Sequence, residues 1–220
     1  MKKVFLLATV AAVFASCNNQ QASQTSETAA VSTDTTGVNY VVDTTLSILN
    51  WESKKIVGGH VGTIKVAEGN LNVKDNNIVS GAFTVAMPSI INTDLTDAKY
   101  NSDLVNHLKS ADFFDVVKYP TAKFELTSSE ILSNDANGNT HTISGNLTIK
   151  DSTHNVSFPA KVTVGEDGLS AEGEMIINRL KWGIIYNSVS VSPAALLKKI
   201  GDNAIKDEVS IKIAIKGKKA

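Results

Sequence analysis

The stretch Ile143-Ser144-Gly145-Asn146-Leu147-Thr148-Ile149, followed by Val156-Ser157-Phe158-Pro159-Ala160-Lys161-Val162-Thr163-Val164, decides the fold class. In both runs small or apolar residues alternate with mostly polar ones. Such a period of two places one set of side chains on each face of an extended chain. One face is then buried and the other wet, the pattern of an antiparallel sheet solvated on one side. Asp151-Ser152-Thr153 lies between the runs and joins them as a hairpin.

The same alternation recurs along the chain. Phe124 and Leu126 alternate with Lys123, Glu125 and Thr127, and Val209, Ile211, Ile213 and Ile215 alternate with mostly polar neighbours. Turn signals separate the runs: Lys74-Asp75-Asn76-Asn77, Asn134 to Asn139, and Gly165-Glu166-Asp167-Gly168. Asn, Asp and Gly supply the backbone angles and local side-chain bonds that tight turns use. Strands joined by short loops predict a meander that closes into an antiparallel β-barrel of about eight strands. A barrel of that size either fills its interior with side chains or holds one small ligand. Gly62, Gly81, Gly145 and Gly173 fall within strand patterns, where they mark bends or leave interior space.

One stretch breaks the rule. Between Thr93 and Ala111, Tyr100, Leu104, Leu108 and Ala111 stand at helical spacing, with Asp94 and Asp97 in front and Lys109 behind. This predicts an amphipathic helix inside a long strand connection. A second, short helix is expected from Pro193 to Lys199, with Gly201 after it.

The 220 residues are 42% hydrophobic and 20% charged, as in an ordinary globular protein, and the formal net charge is -1. No basic stripe exists to neutralise phosphates, so nucleic acid is not an expected partner. The chain opens Met1-Lys2-Lys3 and continues with an apolar run from Val4 to Val13. A basic start and a short apolar run make a secretory signal, too short to span a bilayer. Val13-Phe14-Ala15-Ser16-Cys17 resembles a bacterial lipobox, with Phe14 in place of the usual leucine. Residues 1–16 are therefore expected to be a lipoprotein signal peptide, and Cys17, the chain's single cysteine, to be acylated. Asn18 to Gly37 is polar and aperiodic and is expected to tether the domain formed by residues 38–220. The protein is then exported and anchored to a cell-envelope membrane.

Asn106-His107-Leu108-Lys109-Ser110-Ala111-Asp112-Phe113-Phe114-Asp115, with Tyr119-Pro120 and Phe124 after it, resembles the central motif of the YceI-like family. His60-Val61-Gly62, Gly81-Ala82-Phe83, Ser144 to Ile149, and Asn178-Arg179-Leu180-Lys181-Trp182-Gly183 resemble further segments of that family in order and spacing. The resemblance implies a lipocalin-like barrel whose interior holds polyisoprenoid or related long-chain lipids, a quinone included. It implies a lipid partner rather than a catalytic cofactor. A homodimer is a candidate assembly, though no residue marks it. Trp182 departs from the smaller aromatic usual there, and Lys54-Lys55 to Gly58-Gly59 matches no known ligand contact.

The candidate lumen residues are Phe83, Val85, Met87, Phe124, Leu126, Leu147, Phe158 and Trp182. Tyr100, Leu104, Leu108, Phe113 and Phe114 are candidates for the entrance, with at most one of the two adjacent phenylalanines facing inward if the segment is extended. Each fits packed core equally well, and the set carries the reading. No catalytic group and no metal site is expected. His60, His107, His141 and His154 have no ligand spacing, and no serine sits in a nucleophile elbow. Asp94, Asp97, Asp103, Asp112 and Asp115 read as caps and a solvated face, and His107 as a brace for the helix. Arg179 is expected to be partly buried in an ion pair, with Asp112 or Asp115 as partner. The alternatives are a periplasmic stress or interaction module with a filled core and, behind it, a metal-binding protein or hydrolase.

Overall fold

A computed structural model describes residues 23–133, 135–166 and 168–220. The expected signal peptide and Cys17 lie outside these residues. The strands are β1 (Gln24–Ser26), β2 (Val38–Val42), β3 (Ile48–Lys55), β4 (Gly59–Lys74), β5 (Asn77–Ala86), β6 (Ile91–Asn92), β7 (Thr121–Ile131), β8 (His141–Ile149), β9 (Ser152–Gly165), β10 (Gly168–Asn178) and β11 (Ile205–Lys219). Two α-helices, α1 (Ala98–Lys109) and α2 (Ala194–Ile200), interrupt them.

The sheet closes on itself. Going round, β9 pairs β10, β10 pairs β11, β4 pairs β5, β5 pairs β7, β7 pairs β8 and β8 returns to β9, all antiparallel. Between β11 and β4, β2 and β3 share one position: β2 pairs the lower part of both and β3 the upper part. The result is the expected all-β barrel with eight positions around its wall.

Local chemistry explains the corners. Lys74 pairs directly with Asn77, and both residues between them, Asp75 and Asn76, have positive φ (51° and 61°). Asp and Asn tolerate that conformation, and the mirror-image turn it makes suits the twist of a hairpin. The β8–β9 corner is Lys150-Asp151, one residue earlier than the sequence suggests, with Lys150 at φ 57°. Helix α1 starts where Asp97 accepts from the backbone N–H groups of Lys99 and Tyr100. The second helix falls where Pro193 and Gly201 predict it.

The inward faces of the eight wall positions feed one core. Val156, Phe158, Ala160 and Val162 on β9 and Ile143, Leu147 and Ile149 on β8 are buried, as the alternation requires. Gly145 gives up its side chain so that a ring can lie on the strand: a Cβ there would stand 2.2 Å from Phe124 Cζ.

The expected free tether does not hold for residues 23–37. These residues run across the outside of the barrel, bonded to one strand after another. Ser23 bonds Ile176 on β10, and β1 pairs with Asn155 to Ser157 on β9. The Asn146 side chain on β8 grips Ala29 by both its N–H (3.1 Å) and its carbonyl (2.8 Å). Ser32 donates its N–H to Leu126 O on β7, and Thr33 bridges Ser80 on β5. Polar composition hid this because the bonds are made by backbone and by outward-facing asparagines, not by apolar side chains. Asn146 and Asn155 are buried although they point away from the core.

Candidate functional site

The upper end of the barrel is the one where β3, β5, β8 and β10 finish and the two helical connections cross. Beneath those connections lies a cavity of about 110 Å³. Its wall is apolar: Leu49 and Trp51 from β3, Phe83 and Val85 from β5, Met175 and Ile177 from β10, and Ile211 and Ile213 from β11. Met87, Leu108, Phe113, Phe114, Trp182 and Ile184, from the connections, close the top. Ser53, Lys123 and Arg179 are the charged or hydroxyl-bearing residues among those that line it, and Lys123 turns its side chain to Glu125 on the outer face. A second cavity of about 50 Å³ lies below, among Leu71, Ile78, Leu126, Ile143, Phe158 and Ile215. Phe83 and Phe124 line both, with ring centroids 5.3 Å apart, and form the partition between them.

Of the sequence candidates, Phe83, Val85, Met87, Leu108, Phe113, Phe124, Leu147 and Trp182 line the main cavity. Leu126 and Phe158 line only the lower one. Leu104 lines neither and packs, partly buried, against the core. Tyr100 is 65% exposed and lies away from the entrance. Phe113 and Phe114 both reach the cavity, because they sit in a turn rather than an extended segment. Sequence reading missed Trp51, Met175, Ile177 and Ile184. Trp51 stands in Ile48-Leu49-Asn50-Trp51-Glu52, where the apolar Ile48 on the outer face blurs the alternation, and Met175 is followed by Ile176-Ile177, which breaks the period of two.

The connections that roof the cavity are fixed by polar contacts. His107 Nε2 lies 2.8 Å from Asp112, and its ring meets Phe113 and Tyr186 edge-on at 5.0 and 4.7 Å. His107 thus braces α1 against the segment after β10. Trp182 Nε1 donates to Leu147 O at 3.1 Å, and His154 stacks edge-on against its ring while bonding Lys181 O. Gly183 is held at φ 68°, which lets the chain reverse directly after Trp182.

Arg179 is buried and binds three carbonyls: Ile184 O at 2.8 Å, Lys206 O at 3.2 Å and Ile205 O at 3.3 Å. Its ion-pair partner is Asp207, not Asp112 or Asp115, which lie across the mouth on the α1 connection. Burial lowers the guanidinium's pKa and Asp207 opposes the shift. The remaining acids of the helix region are engaged locally. Asp94 holds His60 and the Val61 N–H, Asp97 caps α1, and Asp103 pairs with Lys99 at 2.6 Å. Among the described residues no group of three or more His, Cys, Asp or Glu side chains converges as a metal site would require.

Comparison with known proteins places this barrel. The curated relatives include a UPF0312 protein of Pseudomonas aeruginosa, 40% identical over 72 residues, and the Escherichia coli protein YceI, 31% identical over 122 residues. The aligned parts are 33% and 52% of this chain, and they span only 35% and 59% of those relatives' lengths. Among solved structures, Burkholderia cenocepacia BcnA matches with a TM-score of 0.59 at 24% identity, over 79% of this chain and 98% of that one. A polyisoprenoid binding domain from Saccharophagus degradans matches with a TM-score of 0.55 at 12% identity, over 83% and 99%. These likenesses establish a shared fold. The family model described as the YceI-like domain matches residues 40–217, and the chain belongs to that family.

Proposed function

We propose that the protein binds an elongated apolar ligand of isoprenoid type along the barrel axis, as a carrier or store. The observation that carries this reading is the unfilled apolar cavity, continued across one ring pair by a second. Cores are normally packed to crystal-like density, so an opening of about 110 Å³ with apolar walls is space kept for something. Engineered apolar cavities of about 150 Å³ take up benzene, whereas drug-sized ligands fill roughly 300–1,000 Å³. The cavity as formed therefore accepts a ring or a short run of carbons. A longer tail needs the partition to swing, joining the upper and lower spaces. The flexible side chains of Met87 and Met175 on the wall suit such repacking. Burial at about 25 cal/mol per Å² supplies the affinity without polar recognition. The Saccharophagus domain of the same fold, described as polyisoprenoid binding, supports this class of ligand.

Export and anchoring belong to the same proposal. Cys17 carries the lipid anchor, the domain faces the periplasm or cell surface, and no chemical step is assigned to it. With Ser23 bonded to the barrel wall, six residue steps separate the anchor from the domain. Fully extended they span at most about 20 Å, so the barrel works close to the membrane.

The test uses the chain's own fluorescence. Both of its tryptophans, Trp51 and Trp182, line the main cavity. Titration with a short-chain quinone should quench their emission saturably, and a polyprenol should reverse it. Absence of saturable quenching would reject the ligand reading in favour of a filled interaction module.

A further inference from the structure

The upper and lower ends of the barrel differ in chemistry. The lower corners carry Asp75, Asn76, Asp135, Asn137, Asn139 and Glu166, and the exposed apolar residues Leu46 and Ile131 there stand on two different elements, the β2–β3 connection and the end of β7. At the upper end, the β3–β4 corner instead exposes Ile56 and Val57, at 54% and 63%. The β10–β11 connection beside it exposes Ile185, Val191 and Leu196. These two connections form one surface, because Ile56 N–H bonds Ala204 O and Val57 N–H bonds Asp202 O. Helix α2 belongs to it: its sequence is Ala-Ala-Leu-Leu-Lys-Lys-Ile, yet none of its seven residues is buried. Leu197 and Ile200 are half-buried and Leu196 is exposed, and an apolar helix with no buried residue is unusual in a globular protein.

The charges on this surface are mainly positive. Lys55 beside the hairpin tip, Lys198 and Lys199 on α2, and Lys206 at the start of β11 make no ion pair among the described residues. Lys54 pairs with Glu52 at 3.3 Å. The acids nearby are Asp202 and Glu208, with Glu52 paired to Lys54 and Asp94 to His60 beside the corner. Exposed aliphatic tips set among unpaired lysines match the interface of an anionic bilayer, where apolar groups enter the acyl boundary and lysines meet the headgroups.

We propose that the β3–β4 corner and α2 form a docking face for anionic lipid bilayers, separate from the anchor at Cys17. The face borders the cavity directly: Ser53, Ile184, Arg179 and Val209, which line it, come from the same connections or the strand ends beneath them. Docking therefore turns the cavity mouth toward the bilayer, and on the ligand reading above it shortens the path of a tail through water. The docking itself requires no ligand and stands apart from that reading.

The chain has one cysteine. In the full chain carrying Cys17→Ser, a cysteine introduced by Leu196→Cys, Val57→Cys or Asn76→Cys takes a single environment-sensitive fluorophore. With phosphatidylglycerol–phosphatidylcholine vesicles, the probes at 196 and 57 shift to the blue and the probe at 76 does not. Adding Lys198→Glu and Lys199→Glu raises the lipid concentration for half-maximal shift about tenfold or more. All these positions are exposed, and the strain of Asn76→Cys at φ 61° is confined to the β4–β5 turn, so the fold survives the changes. No shift at 196, or an equal shift at 76, overturns the proposal. A shift without vesicles that grows with protein concentration also overturns it, and assigns the face to a second copy of the chain.

Discussion

Arg179 Nη2 stands 3.7 Å from Asp207 Oδ1, and both residues are buried where the connection after β10 returns to β11. Asp207 also accepts from Ser188 at 2.5 Å and from Ser190, so the start and the middle of that connection are tied to one carboxylate. Arg179→Ala leaves that carboxylate without its counter-charge and removes a donor from three carbonyls, of which Ile205 O keeps the Val189 N–H. Removing one partner of a buried pair costs about 3–5 kcal/mol, because the other charge stays buried and unpaired. The Tm should fall sharply, and Arg179→Lys should recover little of it, since a lysine does not reproduce the fork. A wild-type Tm for Arg179→Ala would show that the network is not holding the roof.

Gly145→Ala tests the seat of Phe124. The new methyl would stand 2.2 Å from the ring, so the ring or the strand must move. Overpacking of this kind costs about 1–3 kcal/mol. If Phe124 is the mobile partition proposed above, the substitution also alters ligand capacity, measured by the tryptophan titration. Unchanged stability and capacity would separate Phe124 from both roles.

Asn146→Ala probes the strap over the barrel. It removes the two hydrogen bonds that clamp Ala29 and leaves Asn155 with one fewer partner. The expected loss is about 1–3 kcal/mol, accompanied by faster proteolysis within residues 23–33. An unchanged cleavage rate would mean that the strap does not depend on this clamp.

His141 gives a pH dependence. It is buried at the start of β8, and its Nε2 finds no partner among the described residues. Burial pushes the imidazole below the ordinary 6.5, with the Asn76 backbone opposing. The unfolded chain therefore takes up a proton near pH 6.5 that the folded chain refuses. The unfolded state binds more protons, so stability is full above that pH and declines as pH falls below it. The slope from one site is at most about 1.4 kcal/mol per pH unit. His141→Phe should flatten the Tm profile between neutral and mildly acidic pH; an unaltered profile would assign the loss to other groups.

The fold was legible because alternation, turn chemistry and a capped helix agree along the chain. Asp75-Asn76 names its turn, and Asp97 marks the start of α1. The wall of the cavity was legible in part, since Phe83, Leu147 and Trp182 announce inward faces. What sequence could not supply was the level of each side chain along the barrel axis. Phe158 and Leu126 have the same pattern as Leu147 and Val85, yet face a different space, because level depends on strand stagger. Pairing across distant segments was equally hidden, as with Arg179 and Asp207. The strap was missed because its contacts run through backbone groups that any polar sequence carries.

The central claim is that the barrel holds an apolar ligand, and native mass spectrometry of the chain from residue 18 onward, without the anchoring cysteine, tests it most directly. The chain is purified from a bacterial host without detergent and then extracted with organic solvent. A reproducible adduct of roughly a few hundred daltons that passes into the organic phase is the predicted result, reduced by Ala122→Trp, which fills the cavity wall. A bare protein mass that stays unchanged after incubation with quinones and polyprenols would contradict the account and leave the cavity residues as packing alone.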